Sequence, residues 1–371
     1  MSKKDKIPSS FEQKFDRFVI AHLTGIPFVQ KMFFVGHMHT MIHAGLSVVE
    51  SLDVLSKEIE NKKLREIIAM IKSDIEKGQP FSDSLAKHPK AFPSIYVKMI
   101  AAGEISGKLE ESLSQITIQM RKSHELTSTI KGAMIYPCVI LAAMGGIGIM
   151  MITVVFPKLV ELFDEFDAEL PLATRILIAI TDFASNPINL VAILIAMFAL
   201  IFGFTASLRR FPDFKRFIHK LDLRLPIFGS IIKKINLARF SLTLSSLLKS
   251  TIPIIDAVQI TAETCGNVVY RETLKQAAEK IKTGTPLSEI LNQNTQLFPP
   301  MVTEMIMVGE RTGESQQLLD ELAAFYSDEV DKTMKNFATI IEPVIIIVLG
   351  IAVAGMAVAV IMPMYSLVQN F

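Results

Sequence analysis

The chain has 371 residues, 50% of them apolar, a mean hydropathy of +0.41 and a formal net charge of +1. Only 20% of the residues are charged, against about 25% in soluble domains, so the balance leans toward a membrane protein. The near-neutral total hides an uneven distribution and suggests no nucleic-acid partner, and two cysteines, Cys138 and Cys265, are too few for a disulfide framework.

From the start, residues 1–32 hold no early apolar run, so no cleavable signal peptide is expected and insertion falls to an internal span. Phe11, Phe15, Phe18 and Val19 make one apolar stripe beside Lys14 and Arg17. This reads as a short amphipathic helix, packed on its own domain or lying on a membrane or partner. Residues 33–131 read as a first cytoplasmic helical domain, with apolar residues at three- and four-residue spacing in Met38, Met41, Ile42 and in Leu64, Ile67, Ile68, Ile71. Breakers at Gly45, Gly78-Gln79-Pro80, His88-Pro89 and Phe92-Pro93 divide it into short helices.

Three uncharged stretches follow, Gly132–Phe156, Phe183–Leu208 and Pro343–Phe371. Each exceeds the roughly 20 helical residues that cross a bilayer, which predicts transmembrane helices at 132–156, 188–208 and 339–363. Between the first two, residues 157–187 carry Lys158 and Arg175 against six acids. Residues 209–234 carry eight lysines and arginines against Asp213 and Asp222. Because basic segments stay on the cytoplasmic side, 157–187 is expected outside, as is a tail at 364–371. The N-terminus, and a linker with a second helical domain at 209–338, are expected inside. Cys138 then sits in a span and Cys265 in the cytoplasm, which leaves neither a disulfide nor a zinc site expected.

The odd number of spans has an origin in an internal repeat. At a constant offset of 206 without gaps, Phe34 falls on Phe240, Gly78 on Gly284, Pro80 on Pro286, Ser82 on Ser288 and Phe92-Pro93 on Phe298-Pro299. Gly103-Glu104 falls on Gly309-Glu310, Gly107 on Gly313, Pro137 on Pro343 and Pro157 on Pro363. Each unit is a helical domain followed by a span. Two such units in one orientation need an extra span between them, and 188–208, outside the repeat, supplies it.

The most specific local pattern is GEISG at 103–107, answered by GERTG at 309–313. Glycine serves where a backbone turns left-handed or two helices approach closely, and Ser106 and Thr312 suit the N-caps of the helices that follow. Gly103, Glu104, Gly107, Gly309, Glu310 and Gly313 are therefore the candidate site residues. They are either structural corners or, through the two carboxylates, a partner interface. His39 and His43 stand at i and i+4 beside His37, but their counterparts with His37's are Ser245, Lys249 and Thr243, and nothing completes a metal site. No phosphate loop or nucleophile elbow is present, so neither catalysis nor a cofactor is expected. No charge lies inside the three uncharged stretches to mark a transport path. Small residues at helical spacing, Ala142 with Gly146, Gly350 with Ala354 and Gly355 with Ala359, suit close helix packing within the chain or between copies.

Tandem helical units, each with a G-E-x-[ST]-G corner and a proline-led span (Ile135-Tyr136-Pro137 and Ile341-Glu342-Pro343), resemble the general secretion pathway F family over residues 33 to 365. Glu169-Leu170-Pro171-Leu172-Ala173-Thr174 and Leu225-Pro226-Ile227-Phe228-Gly229 are similar to family motifs as well. Longer members carry a further segment before the first unit. The resemblance implies an all-α membrane protein, the inner-membrane platform of type IV pilus and type II secretion machines. The implied partners are a hexameric cytoplasmic ATPase, pilin or pseudopilin subunits, other inner-membrane assembly proteins and further copies of the chain. A membrane scaffold unconnected to filaments is the second reading, and a transporter the third.

Overall fold

The computed structural model describes residues 25–155 and 187–369, with 157, 179 and 183. The amphipathic stripe expected at 11–19 and the six acids expected outside the membrane, at 161–169 and 182, fall outside the described residues. Every regular element described is helical.

The first six helices are α1 (Phe28–His43), α2 (Val48–Glu58), α3 (Lys62–Glu76), α4 (Phe81–Ala86), α5 (Ser94–Ser106) and α6 (Leu109–Met150), the last continued by a π turn at Met151–Val155. Then come α7 (Pro187–Arg210) and α8 (Pro212–Asp222). The last six are α9 (Phe228–Lys249), α10 (Ile254–Thr264), α11 (Val268–Lys282), α12 (Leu287–Asn292), α13 (Pro300–Thr312) and α14 (Ser315–Gln369). Adding 206 to either end of α2, α3, α4 and α5 gives the ends of α10, α11, α12 and α13. It also carries the end of α1 to the end of α9 and the start of α6 to the start of α14.

The same local chemistry sets these boundaries in both halves. Asn61 and Asn267 cap α3 and α11, each accepting a backbone N–H with its side-chain oxygen, which satisfies a donor the helix start leaves open. Gly78 and Gly284, with φ of 86° and 88°, take the left-handed turn after those helices, where a Cβ would be strained.

The chain forms two compact units. One gathers residues up to Thr127 and Ile232–Glu329, and so holds the folded part of both repeats. Its core contains Phe34, Met38, Leu52, Leu64, Ile68 and Leu85 from the first repeat and Phe240, Leu244, Val258, Tyr270, Leu274 and Leu291 at the matching places of the second. Fully burying such side chains stabilises by about 1.5 to 3 kcal/mol each. The ring of Phe34 meets that of Phe92 at 5.5 Å in a tilted contact, and Phe240 meets Phe298 edge-on at 5.4 Å. The repeats also touch each other: Ser246 Oγ donates to Gln119 Oε1 at 2.7 Å in a buried contact, and Ser94 Oγ donates to Glu263 Oε2 at 2.9 Å.

The other unit comprises Ser128–Ile231 and Val330–Phe371. The stretches Leu109–Val155 and Ser315–Gly355 are long and apolar enough to cross a membrane, and Ile195–Arg210 with Pro212–Asp222 forms a third candidate, bent by 106°. Their apolar side chains point outward: Phe198, Leu200 and Ile351 are each about 70% exposed. A surface of that kind suits hydrocarbon, where the helical backbone satisfies its own polar groups.

Candidate functional site: the paired glycine and glutamate corners

Helices α4 and α12 pose a problem at their first residues. Each follows a proline, Pro80 or Pro286, that offers no capping side chain, and the leading N–H groups of a helix have no partner inside it. A glutamate from the next helix solves this. The Glu104 carboxylate on α5 accepts from Phe81 N at 2.6 Å, Ser82 N at 3.0 Å and Ser82 Oγ at 2.6 Å. Glu310 on α13 accepts from Leu287 N at 2.7 Å, Ser288 N at 3.2 Å and Ser288 Oγ at 2.5 Å. An anion at a helix N-terminus is also favoured by the helix dipole.

The glycines beside these carboxylates divide into two kinds. Gly107 and Gly313 end α5 and α13 with φ of 70° and 81°. Gly103 and Gly309 are buried helical positions where there is no room for a Cβ. At Gly103 it would stand 2.2 Å from Ser112 Oγ, and at Gly309 2.7 Å from Ser315 Cα. These contacts let each short helix cross closely over the start of the long helix that follows.

The expected N-caps at Ser106 and Thr312 are corrected here. Ser106 is the last residue of α5 and its Oγ donates back to Ala102 O at 2.8 Å, while Thr312 Oγ1 donates to Val308 O at 3.0 Å and also accepts from Glu314 N at 3.3 Å, a capping-type bond made from outside α14. The left-handed glycines come after these residues, so both remain inside the preceding helix, where a short hydroxyl bonds the previous turn. No hydrogen bond among the described residues joins one corner to the other; each closes its own repeat.

The middle residue of each corner escaped sequence reasoning. Ile105 is 89% exposed, and Arg311 is also exposed. The signal available was that this position changes from apolar to basic between the two copies while its neighbours persist.

A polar cleft of about 280 Å³ opens where the repeats meet, lined by Lys108, Glu111, Ser112, Gln115 and Lys249 among others. Across the neighbouring surfaces His43 Nδ1 lies 2.6 Å from Glu110 Oε1, and Asp320 bonds Ser245 at 2.5 Å and Lys249. His39 and His43 stack at 6.0 Å, and no group of three metal-ligating side chains occurs among the described residues. Cys265 is fully buried, which pushes its thiol up to about 12, so it is no nucleophile at neutral pH.

Comparison with known proteins gives the same two halves. The family described as type II secretion system (T2SS), protein F matches residues 34–157 and 240–363. The type IV pilus assembly protein PilC of Thermus thermophilus is 37% identical over 90% of this chain and 82% of its own length. PilC of Myxococcus xanthus is 35% identical over 90% of this chain and 79% of its own. Type II secretion system protein F of Aeromonas hydrophila is 31% identical over 88% and 84%.

Proposed function

Since this chain belongs to the type II secretion system protein F family, we propose that it is a non-enzymatic inner-membrane platform coupling a cytoplasmic ATPase to assembly of a type IV pilus or a type II secretion pseudopilus. One observation carries the mechanical part of this reading. Helices α6 and α14, with 42 and 55 residues, each start in a folded repeat and run on as one helix, through Pro137 and Pro343, into an apolar stretch of membrane-crossing length. At 1.5 Å per residue they extend about 60 Å and 80 Å. A displacement applied to the bundle therefore reaches the apolar stretch along a helix rather than through a linker that would absorb it.

In this reading the domains at 33–131 and 209–338 are cytoplasmic, the spans are 132–156, 188–208 and 339–363, and the segments 157–187 and 364–371 lie outside. The ATPase supplies the energy, for which the sequence offers no nucleotide motif of its own. Pilin or pseudopilin subunits leave the bilayer beside the spans, and other inner-membrane assembly proteins and a second copy complete the platform. At the corners, Glu104 and Glu310 are engaged in holding α4 and α12, so their exposed neighbours Ile105 and Arg311 are the better candidates for contact with a partner.

Two experiments test this. Cysteines placed at Ser2, Asp167, Glu289 and Asn370 and treated with an impermeant thiol reagent in intact spheroplasts should react at 167 and 370 only; reaction at 289 overturns the topology. Glu289 is chosen because it is exposed, whereas the adjacent Ser288 is buried. For the function, the chain should co-purify with a pilus or secretion ATPase, and the pair Ile105→Asp with Arg311→Asp should weaken that association in a protein still inserted and folded. Gene deletion that leaves every surface filament and secreted substrate unchanged rejects the platform reading.

A further inference from the structure

The helix following the second candidate span is unlike the others. Helix α8 buries none of its residues, yet one face is strongly apolar. At 100° per residue, Phe214, Phe217, Ile218 and Leu221 fall within a stripe about 100° wide, and Lys215 and Lys220 fall outside it. Phe217 is 63% exposed and Leu221 46%. Apart from the edge of Phe214, which meets the ring of Phe204, the face is left open among the described residues.

Its placement says what does. Helix α7 ends on Arg209 and Arg210, and the chain turns through 106° before α8 begins. The corner is defined: Phe211 N donates to Ser207 O at 2.9 Å, Lys215 N to Phe211 O at 3.1 Å, and the rings of Phe204 and Phe214 meet edge-on at 6.1 Å. At the far end Gly229 lies so close to Leu223 that a Cβ would stand 2.5 Å from its carbonyl oxygen. A helix set nearly square to a span, at the end marked by paired arginines, lies along the plane where the bilayer meets water.

We propose that α8 is an interfacial helix. Phe214, Phe217 and Leu221 enter the boundary between headgroups and acyl chains, while the basic flank faces anionic lipid phosphates on the cytoplasmic side. The choice of lipid over a protein partner follows from continuity with the apolar α7 and from charge complementarity, since basic side chains beside a span are drawn to an anionic leaflet. The helix thereby fixes the depth and rotation of the second span and ties the start of the second repeat to the membrane surface. This inference rests on α7 crossing the bilayer.

The test uses the full chain reconstituted in vesicles of phosphatidylethanolamine and phosphatidylglycerol. Single cysteines at Lys215, Phe217, Lys220 and Leu221, with Phe198→Cys in the middle of α7, carry a polarity-sensitive fluorophore; Cys138→Ala removes the exposed native thiol, and Cys265 is buried. Lipids spin-labelled near the headgroup should quench the probes at 217 and 221 and spare those at 215 and 220. Lipids labelled near the chain end should quench only the probe at 198. Loss of quenching at 198 removes the premise that α7 is a span. Quenching at 198 with none at 217 and 221, or with equal quenching at all four α8 positions, keeps the span and overturns the interfacial helix. Replacing phosphatidylglycerol with phosphatidylcholine should reduce the quenching at 217 and 221; unchanged quenching overturns the role of anionic headgroups.

Discussion

The two repeats agree in what the backbone demands and differ in how side chains meet the demand. At the end of α1, Gly45 turns left-handed with φ of 90°; at the matching place after α9, Thr251 does so with φ of 57°, the one non-glycine with positive φ among the described residues. Ser47 caps α2 through a reciprocal bond with Glu50, whereas Pro253 begins α10 without a side-chain cap. In the core, Leu64 and Ile71 of the first repeat become Tyr270 and Ala277 in the second, one position gaining volume as another on the same helix face loses it. Tyr270 brings a polar atom with it, and that hydroxyl donates to Leu297 O at 2.7 Å, as a buried phenol requires. Among the features both copies keep unchanged are the corner glycines and glutamates, where a Cβ has no room and a helix start needs an acceptor.

The sharpest way to break this comparison is at the close approaches. Gly309→Ala places a methyl 2.7 Å from backbone, the Cα of Ser315, which only a helix shift relieves; we expect a loss of about 3 kcal/mol, at the upper end for overpacking. Gly103→Ala meets Ser112 Oγ at 2.2 Å, Ser112 Cβ at 2.6 Å and the Lys108 carbonyl at 3.0 Å and should cost a similar amount, about 3 kcal/mol. Adding Ser112→Gly should recover part of the loss at 103, and no side-chain change should do so at 309. Unfolding of the detergent-solubilised chain, followed by hydrogen exchange in α5 and α13, reads both.

Next come the clasps. Glu104→Ala and Glu310→Ala each remove the acceptor for two backbone N–H groups and a hydroxyl, and each should cost about 2 kcal/mol. Exchange should rise in α4 for the first and in α12 for the second. Equal losses confirm a shared role. Wild-type protection of either helix would free its glutamate for another task.

A smaller and opposite pair of effects is expected at the left-handed turn. A branched residue with positive φ costs about 1 to 2 kcal/mol, so Thr251→Gly should stabilise the second repeat by about 1 kcal/mol and Gly45→Thr should destabilise the first by a similar amount. No atom crowds Gly45, so its penalty is conformational alone. A thermal-unfolding shift of the same sign for both variants contradicts this account.

Breaks between helices were legible in the sequence because proline and glycine act locally, and the offset of 206 repeated the reading in two copies, whereas the caps at Asn61 and Asn267 went unread. The clasp was half legible. Glu104 and Glu310 stood out as a matched pair, but the donors they satisfy lie more than twenty residues earlier, and nothing local marks such a partnership. Ser106 and Thr312 were misread because the pattern does not say on which side of the turning glycine the helix stops. The contact between Ser246 and Gln119 was invisible: the repeat places Thr40 and Phe325 at the equivalent positions, so self-similarity gives no hint that the halves meet there. Helix α8 showed as a basic stretch, and only the bend after α7 turned composition into an amphipathic surface.

Acid provides the subtlest separation of the two halves. Asp53 on α2 accepts from Lys57 at 2.7 Å and from Lys72, and those hydrogen bonds and the two positive charges hold its carboxyl down to about 2 from an ordinary 3.8. Hydrogen bonding from Ser47 lowers Glu50, and that from Lys87 lowers Asp74. In the second repeat Gln259, Ala278 and Lys280 occupy the places of Asp53, Lys72 and Asp74. A depressed carboxyl binds its proton more readily in the unfolded chain than in the folded one. Its contribution is therefore complete above the unfolded value and disappears as pH falls through the folded value. Acidification from the ordinary aspartate range toward about 2 should accordingly loosen α2 before α10, read as the ratio of their amide protection in one sample so that the intrinsic pH dependence of exchange cancels. These pairs are solvent-exposed and screened, so the difference should be small and should shrink further in high salt. Asp53→Asn should reduce it and leave the part due to Glu50 and Asp74, while a ratio that stays constant across the acid range would show that these pairs do not distinguish the repeats.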